Sequence, residues 1–63
     1  MANINPRAAE LAEIIRNSDT WDLEALEELC ELAGMAEEWK AADGETFESV
    51  AYAAADALNV EII

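Results

Sequence analysis

Four glutamates, Glu24, Glu27, Glu28 and Glu31, are spaced i, i+3, i+4 and i+7, which on a helix sets four carboxylates in one stripe with no Lys or Arg among them. Carboxylates in such a pattern can do three things. A pair in unlike environments can work as acid and base, a tight cluster can hold a hard cation, and an open row can attract a basic partner. Acid–base work needs a cleft that a 63-residue chain hardly builds, and the chain has no histidine, the commonest general base. A calcium loop needs alternating ligands around a central glycine, and Asp43-Gly44-Glu45 is too short to be one. No catalytic residue, metal site or cofactor is therefore expected, and attraction remains. Like charges at helical neighbours destabilise a helix by ~0.2–0.5 kcal/mol per pair. The stripe thus works against its own helix, which invites a use for it.

The serine and cysteine nucleophile candidates are Ser18, Ser49 and Cys30, and none has a partner motif. Cys30 lies among leucines, where burial raises a thiol pKa and leaves it inert. A single cysteine makes no internal disulfide, so stability must come from packing.

Four helices position these residues. Asn5 is a good N-cap with Pro6 at the first helical position, and Ile4 is placed to staple onto Ala9. Ala8, Leu11, Ala12 and Ile15 then share one face. Asp22 caps the second helix, with Trp21 and Leu26 at the two staple positions. Leu26, Leu29, Cys30 and Ala33 face away from the glutamates, and Gly34 supplies a left-handed end. Met35, Trp39 and Ala42 form one side of a short third helix, with Glu37, Glu38 and Lys40 pointing away, until Asp43-Gly44 stops it. Thr46 is the expected cap of a fourth helix whose stripe is Phe47, Val50, Ala51, Ala54, Ala57 and Leu58. Asn59 suits a left-handed cap with Val60 as its hydrophobic follower. Val60 to Ile63 reads as an extended tail packed on the core, ahead of pairing with residues 2 to 4 or with another chain. The sequence predicts one all-α domain over residues 1 to 63, a compact bundle of four short helices at about 5–17, 22–33, 35–42 and 46–58 with an extended C-terminal tail.

Fifteen acidic residues oppose three basic ones, for a net charge of −12. Arg7 and Arg16 balance Glu10 and Glu13 in residues 1 to 17, so the whole excess lies in residues 18 to 63. Phosphate neutralisation needs a basic patch, and this charge excludes direct nucleic-acid binding. With 54% hydrophobic residues the chain is too apolar for a disordered acidic tail. No apolar run reaches signal-peptide or membrane-span length. The expectation is a cytoplasmic protein, monomeric or weakly dimeric, with no membrane partner.

The region Asn17-Ser18-Asp19-Thr20-Trp21 leads into the acidic second helix. There the chain resembles acyl carrier proteins, small acidic four-helix domains whose second helix docks onto basic enzyme surfaces. Their phosphopantetheine signature, Asp-Ser-Leu, is departed from on both sides of Ser18, so carrier function is not expected and the docking helix is what the resemblance retains. The segments Leu29-Cys30-Glu31-Leu32-Ala33-Gly34-Met35, Ala41-Ala42-Asp43-Gly44-Glu45-Thr46-Phe47 and Leu58-Asn59-Val60-Glu61-Ile62 look like small acidic proteins of Gram-positive gut bacteria and their mobile elements. Acidic proteins of such elements include antirestriction DNA mimics, whose carboxylates imitate phosphates. The resemblance spans residues 21 to 63 and assigns no residue a role.

The function expected from the residues is a non-enzymatic interaction module that docks an acidic helix onto a basic protein surface. A nucleic-acid-binding protein is one candidate partner, the domain then acting as a nucleic-acid mimic. Glu24, Glu27, Glu28 and Glu31 supply the field and Glu37 and Glu38 extend it. Trp21, at a helix start, is a contact residue of the kind enriched at interaction hot spots, whereas Trp39 reads as core. The alternative is a structural or oligomerising domain with apolar contacts through its C-terminal tail.

Overall fold

The computed structural model describes residues 5–63, which form α1 (Pro6–Asn17), α2 (Leu23–Leu32), α3 (Ala36–Ala41) and α4 (Phe47–Ala57), with no strand among them. The expected spans agree once their caps are counted, and the bundle is all-α. Asn5 begins α1 by accepting from the backbone N–H groups of Arg7 at 2.9 Å and Ala8 at 3.4 Å. Asp22 begins α2 by accepting from Ala25 N–H at 3.1 Å. These bonds satisfy donors that a helix start leaves without partners. The expected contact between Ile4 and Ala9, and any pairing of the tail with residues 2 to 4, lie outside the described residues.

α2 and α4 end in the same way. After α2, Met35 N–H donates to the Cys30 carbonyl at 2.8 Å and Gly34 N–H to that of Glu31 at 3.1 Å, with Gly34 at φ 74°. After α4, Val60 N–H donates to the Ala55 carbonyl at 3.0 Å and Asn59 N–H to that of Asp56 at 3.1 Å, with Asn59 at φ 59°. Both are Schellman motifs, which need a left-handed residue just beyond the helix. Gly and Asn are the residues that take that conformation at least cost.

α2 packs against each of the other three helices. Its Leu26, Leu29 and Cys30 are fully enclosed and Ala25 is nearly so. Ala8, Leu11, Ala12 and Ile15 of α1 close one side of the core, and Ala51 and Ala55 of α4 another. The alanines let α4 approach closely. The tail completes the core: Ile62 is buried, Val60 packs on the cluster, and the Arg16 guanidinium donates to the Glu61 carbonyl.

Three local expectations are corrected. Thr46 makes no side-chain cap for α4; Asp43 does the capping, its Oδ1 accepting from Glu45 N–H at 2.9 Å and Thr46 N–H at 3.1 Å. Thr46 instead sits three residues into that turn, where its Oγ1 accepts from Asp43 N–H at 3.0 Å and closes a reciprocal box. Ala57 is exposed, and Ala55 takes its place in the buried stripe. At 100° per residue, Ala55 stays on the Ala51 face one turn on, whereas Ala57 swings away from it. Ala33 is only half-buried because it is already the C-cap, and the buried face of α2 gains Ala25 instead.

A side-chain carbon added at Gly34 would meet nothing within 4 Å. Gly34→Ala should therefore cost backbone strain alone, about 1 kcal/mol in urea unfolding, whereas Asn59→Gly should change stability by less than about 0.5 kcal/mol. Equal effects at the two sites would show that left-handed geometry is not what limits them.

Candidate interaction surface

The glutamate stripe forms as a row but does not stay uniform. With 100° between successive residues, Glu24 and Glu31 project directly opposite Leu26 and Leu29, Glu28 leans to one flank and Glu27 to the other. The flank of Glu28 is the one that α1 occupies. There Arg7 forks onto the carboxylate, Nε to Oε2 at 2.5 Å and Nη2 to Oε1 at 2.9 Å, while Nη1 reaches Glu10 at 3.1 Å. Asn5 sets the start of α1 and so the turn from which Arg7 reaches across. Its hydrogen bonds to Glu28 and then to Glu10 hold the guanidinium even more firmly protonated than usual. In return, the bond from Arg7 holds the Glu28 carboxyl below its ordinary range. A forked pair has geometric specificity even where solvent screens its strength.

Glu24, Glu27, Glu31, Glu37 and Glu38 are exposed and lie in no ion pair among the described residues. Glu24 stands in the first turn of α2, and Glu37 and Glu38 in the first turn of α3. Acids there are favoured by the helix dipole, which partly offsets the repulsion along the stripe. Glu27 and Glu31 line a shallow groove with Ala36, Trp39 and Lys40, so one ammonium borders the acidic face on the α3 side.

Trp21, Trp39 and Phe47 come together where the starts of α2 and α4 meet α3. The Trp21 and Phe47 rings are 6.0 Å apart at 88°, and Trp39 and Phe47 6.3 Å apart at 87°, both edge-to-face arrangements. Tyr52 meets the Trp21 ring at 6.0 Å and 74°. All three rings pack on the core yet remain partly exposed. They line an open cleft of about 570 Å³ together with Thr20, Leu23, Ala42, Asp43 and Gly44. Trp21 packs on the core cluster while staying partly exposed, and Trp39 is as much cleft as core. Sequence periodicity missed this cluster because it compares residues within a helix, whereas these rings come from three segments. The one available hint was that Trp21 and Phe47 each stand at a helix start.

Of the nucleophile candidates, Cys30 and Ser18 are engaged by the fold and Ser49 is exposed on α4. Cys30 is fully enclosed, and burial first, then the nearby Glu38 charge, push its thiol pKa up. The Ser18 hydroxyl donates to the Ile14 carbonyl at 2.8 Å at the end of α1. No three His, Cys, Asp or Glu side chains converge as a metal-ligand set among the described residues. No described helix is long and apolar enough to cross a membrane. Comparison with known proteins finds no matching protein family, no matching curated protein and no matching solved structure.

Because the folded Glu28 carboxyl titrates below its ordinary value, its pairing stabilises the protein at neutral pH and is lost as pH falls through that depressed value. Glu28→Gln should lower the thermal midpoint at pH 7. The gap from wild type should shrink as pH drops below the ordinary value of 4.5. A gap that stays constant with pH would mean that Arg7 does not distinguish the charged carboxylate.

Proposed function

We propose that this chain is a non-enzymatic interaction module that docks its acidic α2–α3 face onto a basic protein surface. The observation that carries this reading is the exposed, unpaired state of Glu24, Glu27, Glu31, Glu37 and Glu38 on two consecutive helices. Glu28, committed to Arg7, anchors α2 rather than meeting the partner. Such a field speeds encounter and weakens with salt.

Inhibition by mimicry of a nucleic acid is a narrower form of the same proposal. The domain is 34 Å along its longest axis and carries a net charge of −12, or about 2.8 Å of length per charge. Duplex DNA carries one charge per ~1.7 Å of axis. The density is of the same order, over a length of roughly one duplex turn. The competing reading, oligomerisation through the tail, has less support, since Val60 and Ile62 are spent on the core of their own chain and Ile63 alone is left well exposed.

The deciding variant is Glu24→Gln, Glu27→Gln and Glu31→Gln combined, with Glu28 kept so that the Arg7 clamp survives. Wild-type protein should capture its partner from native lysate at low salt and release it at moderate salt. The triple variant should lose capture while its helical circular dichroism stays equal or grows, because like-charge pairs have been removed. Undiminished capture by the variant would overturn the proposal.

A further inference from the structure

We propose that the aromatic cleft between the starts of α2 and α4 receives an arginine side chain of the basic partner, with the guanidinium stacked on indole and paired with Asp43. This rests on the docking reading and names what the partner must present.

Three observations point to that occupant. The cleft is walled by Trp21, Trp39 and Phe47, all partly open to solvent, and the exposed Leu23 stands at its rim. Indole faces attract cations, and guanidinium above all, because it is planar and weakly hydrated. The only charged residue lining the cleft is a carboxylate, Asp43, and no Lys or Arg lines it. Three hydrogen bonds, from Glu45 N–H, Thr46 N–H and Thr46 Oγ1, all fall on Asp43 Oδ1. Its Oδ2 accepts none from the described residues. These bonds, the one from Glu45 first, hold the carboxyl below its ordinary range. Gly44, beside it, offers no side chain to cover the site, and a Cβ there would meet nothing within 4 Å.

A purely apolar occupant would leave that carboxylate without a counter-charge. An ammonium would pair with it as a strongly hydrated point charge and gain less from the rings. A guanidinium can stack and donate at once. The cleft volume of about 570 Å³ falls in the ~300–1,000 Å³ range of small-ligand sites, so the arginine has room to arrive with part of its neighbouring backbone.

The test uses N-acetyl-arginine amide titrated into the full chain, with the two indole N–H signals followed by NMR. N-acetyl-lysine amide and the neutral N-acetyl-norleucine amide serve as comparisons. Saturable shifts of both indole signals are expected with the arginine probe, weaker ones with lysine and none with norleucine. Asp43→Asn keeps a side-chain oxygen for the cap and removes the charge, and it should weaken arginine binding about two- to fivefold. Binding of norleucine or lysine as tight as that of arginine would overturn the assignment, and so would unmoved indoles. The lysine comparison needs only wild-type protein, so it decides the matter even if the Asp43 variant fails to fold. Unmoved indoles alongside capture that the triple glutamine variant loses would remove the cleft and leave acidic docking standing. Saturable indole shifts alongside capture that the variant retains would do the reverse.

Discussion

The other three helices of this domain all pack on α2, a ten-residue helix. A chain of this length buries only about 60% of the surface its unfolded form exposes, and no disulfide supplements it. Leu26, Leu29 and Cys30 must therefore be enclosed from three directions at once. That requirement fixes what the opposite side of α2 can be. A helix that turns Ala25, Leu26, Leu29 and Cys30 to the interior leaves its opposite side to solvent, and here that side is glutamate, with the exposed Leu23 and Leu32 on its flanks. Acidic surface and hydrophobic core are two sides of the same element, so the packing of the core also sets where the candidate docking face lies.

The two arginines have complementary structural roles. Both come from α1, the helix whose charges cancel within the sequence, and both are spent inside the molecule. Arg7 ties α1 to α2 through Glu28, and Arg16 ties α1 to the tail through the Glu61 carbonyl. The arginine charge is used to close the fold, while most of the negative charge is left outside. The imbalance that a partner would meet is therefore concentrated on α2, α3 and the turn before α4.

Much of the architecture was legible because it is local. The Asn5 and Asp22 caps, the Gly34 and Asn59 helix ends and the α1 face each follow from a few adjacent residues. Errors arose where two local signals competed. Asp43 reads as a helix stop and Thr46 as a cap, yet three-residue spacing lets them form one reciprocal turn in which Asp43 leads. In an alanine-rich helix, Ala55 and Ala57 are indistinguishable by hydrophobicity, and only the angle between them tells which faces inward. The surface was less legible. That Glu28 would be withdrawn from its row by Arg7, and that Trp21, Trp39 and Phe47 would share a cleft, depends on how helices cross, which no periodicity encodes.

The placement of the tryptophans has a practical consequence for following this protein in solution. The chain has two, and both abut Phe47. Intrinsic fluorescence therefore reads chiefly one corner of the molecule, where α3 and the starts of α2 and α4 meet, although Trp21 also borders a surface shared with Ile15 of α1 and with Ile62 and Ile63 of the tail. Circular dichroism weights all the helices by length. If the domain unfolds as a single unit the two signals change together, and a separation between them would locate the weaker part directly, at the aromatic corner or away from it.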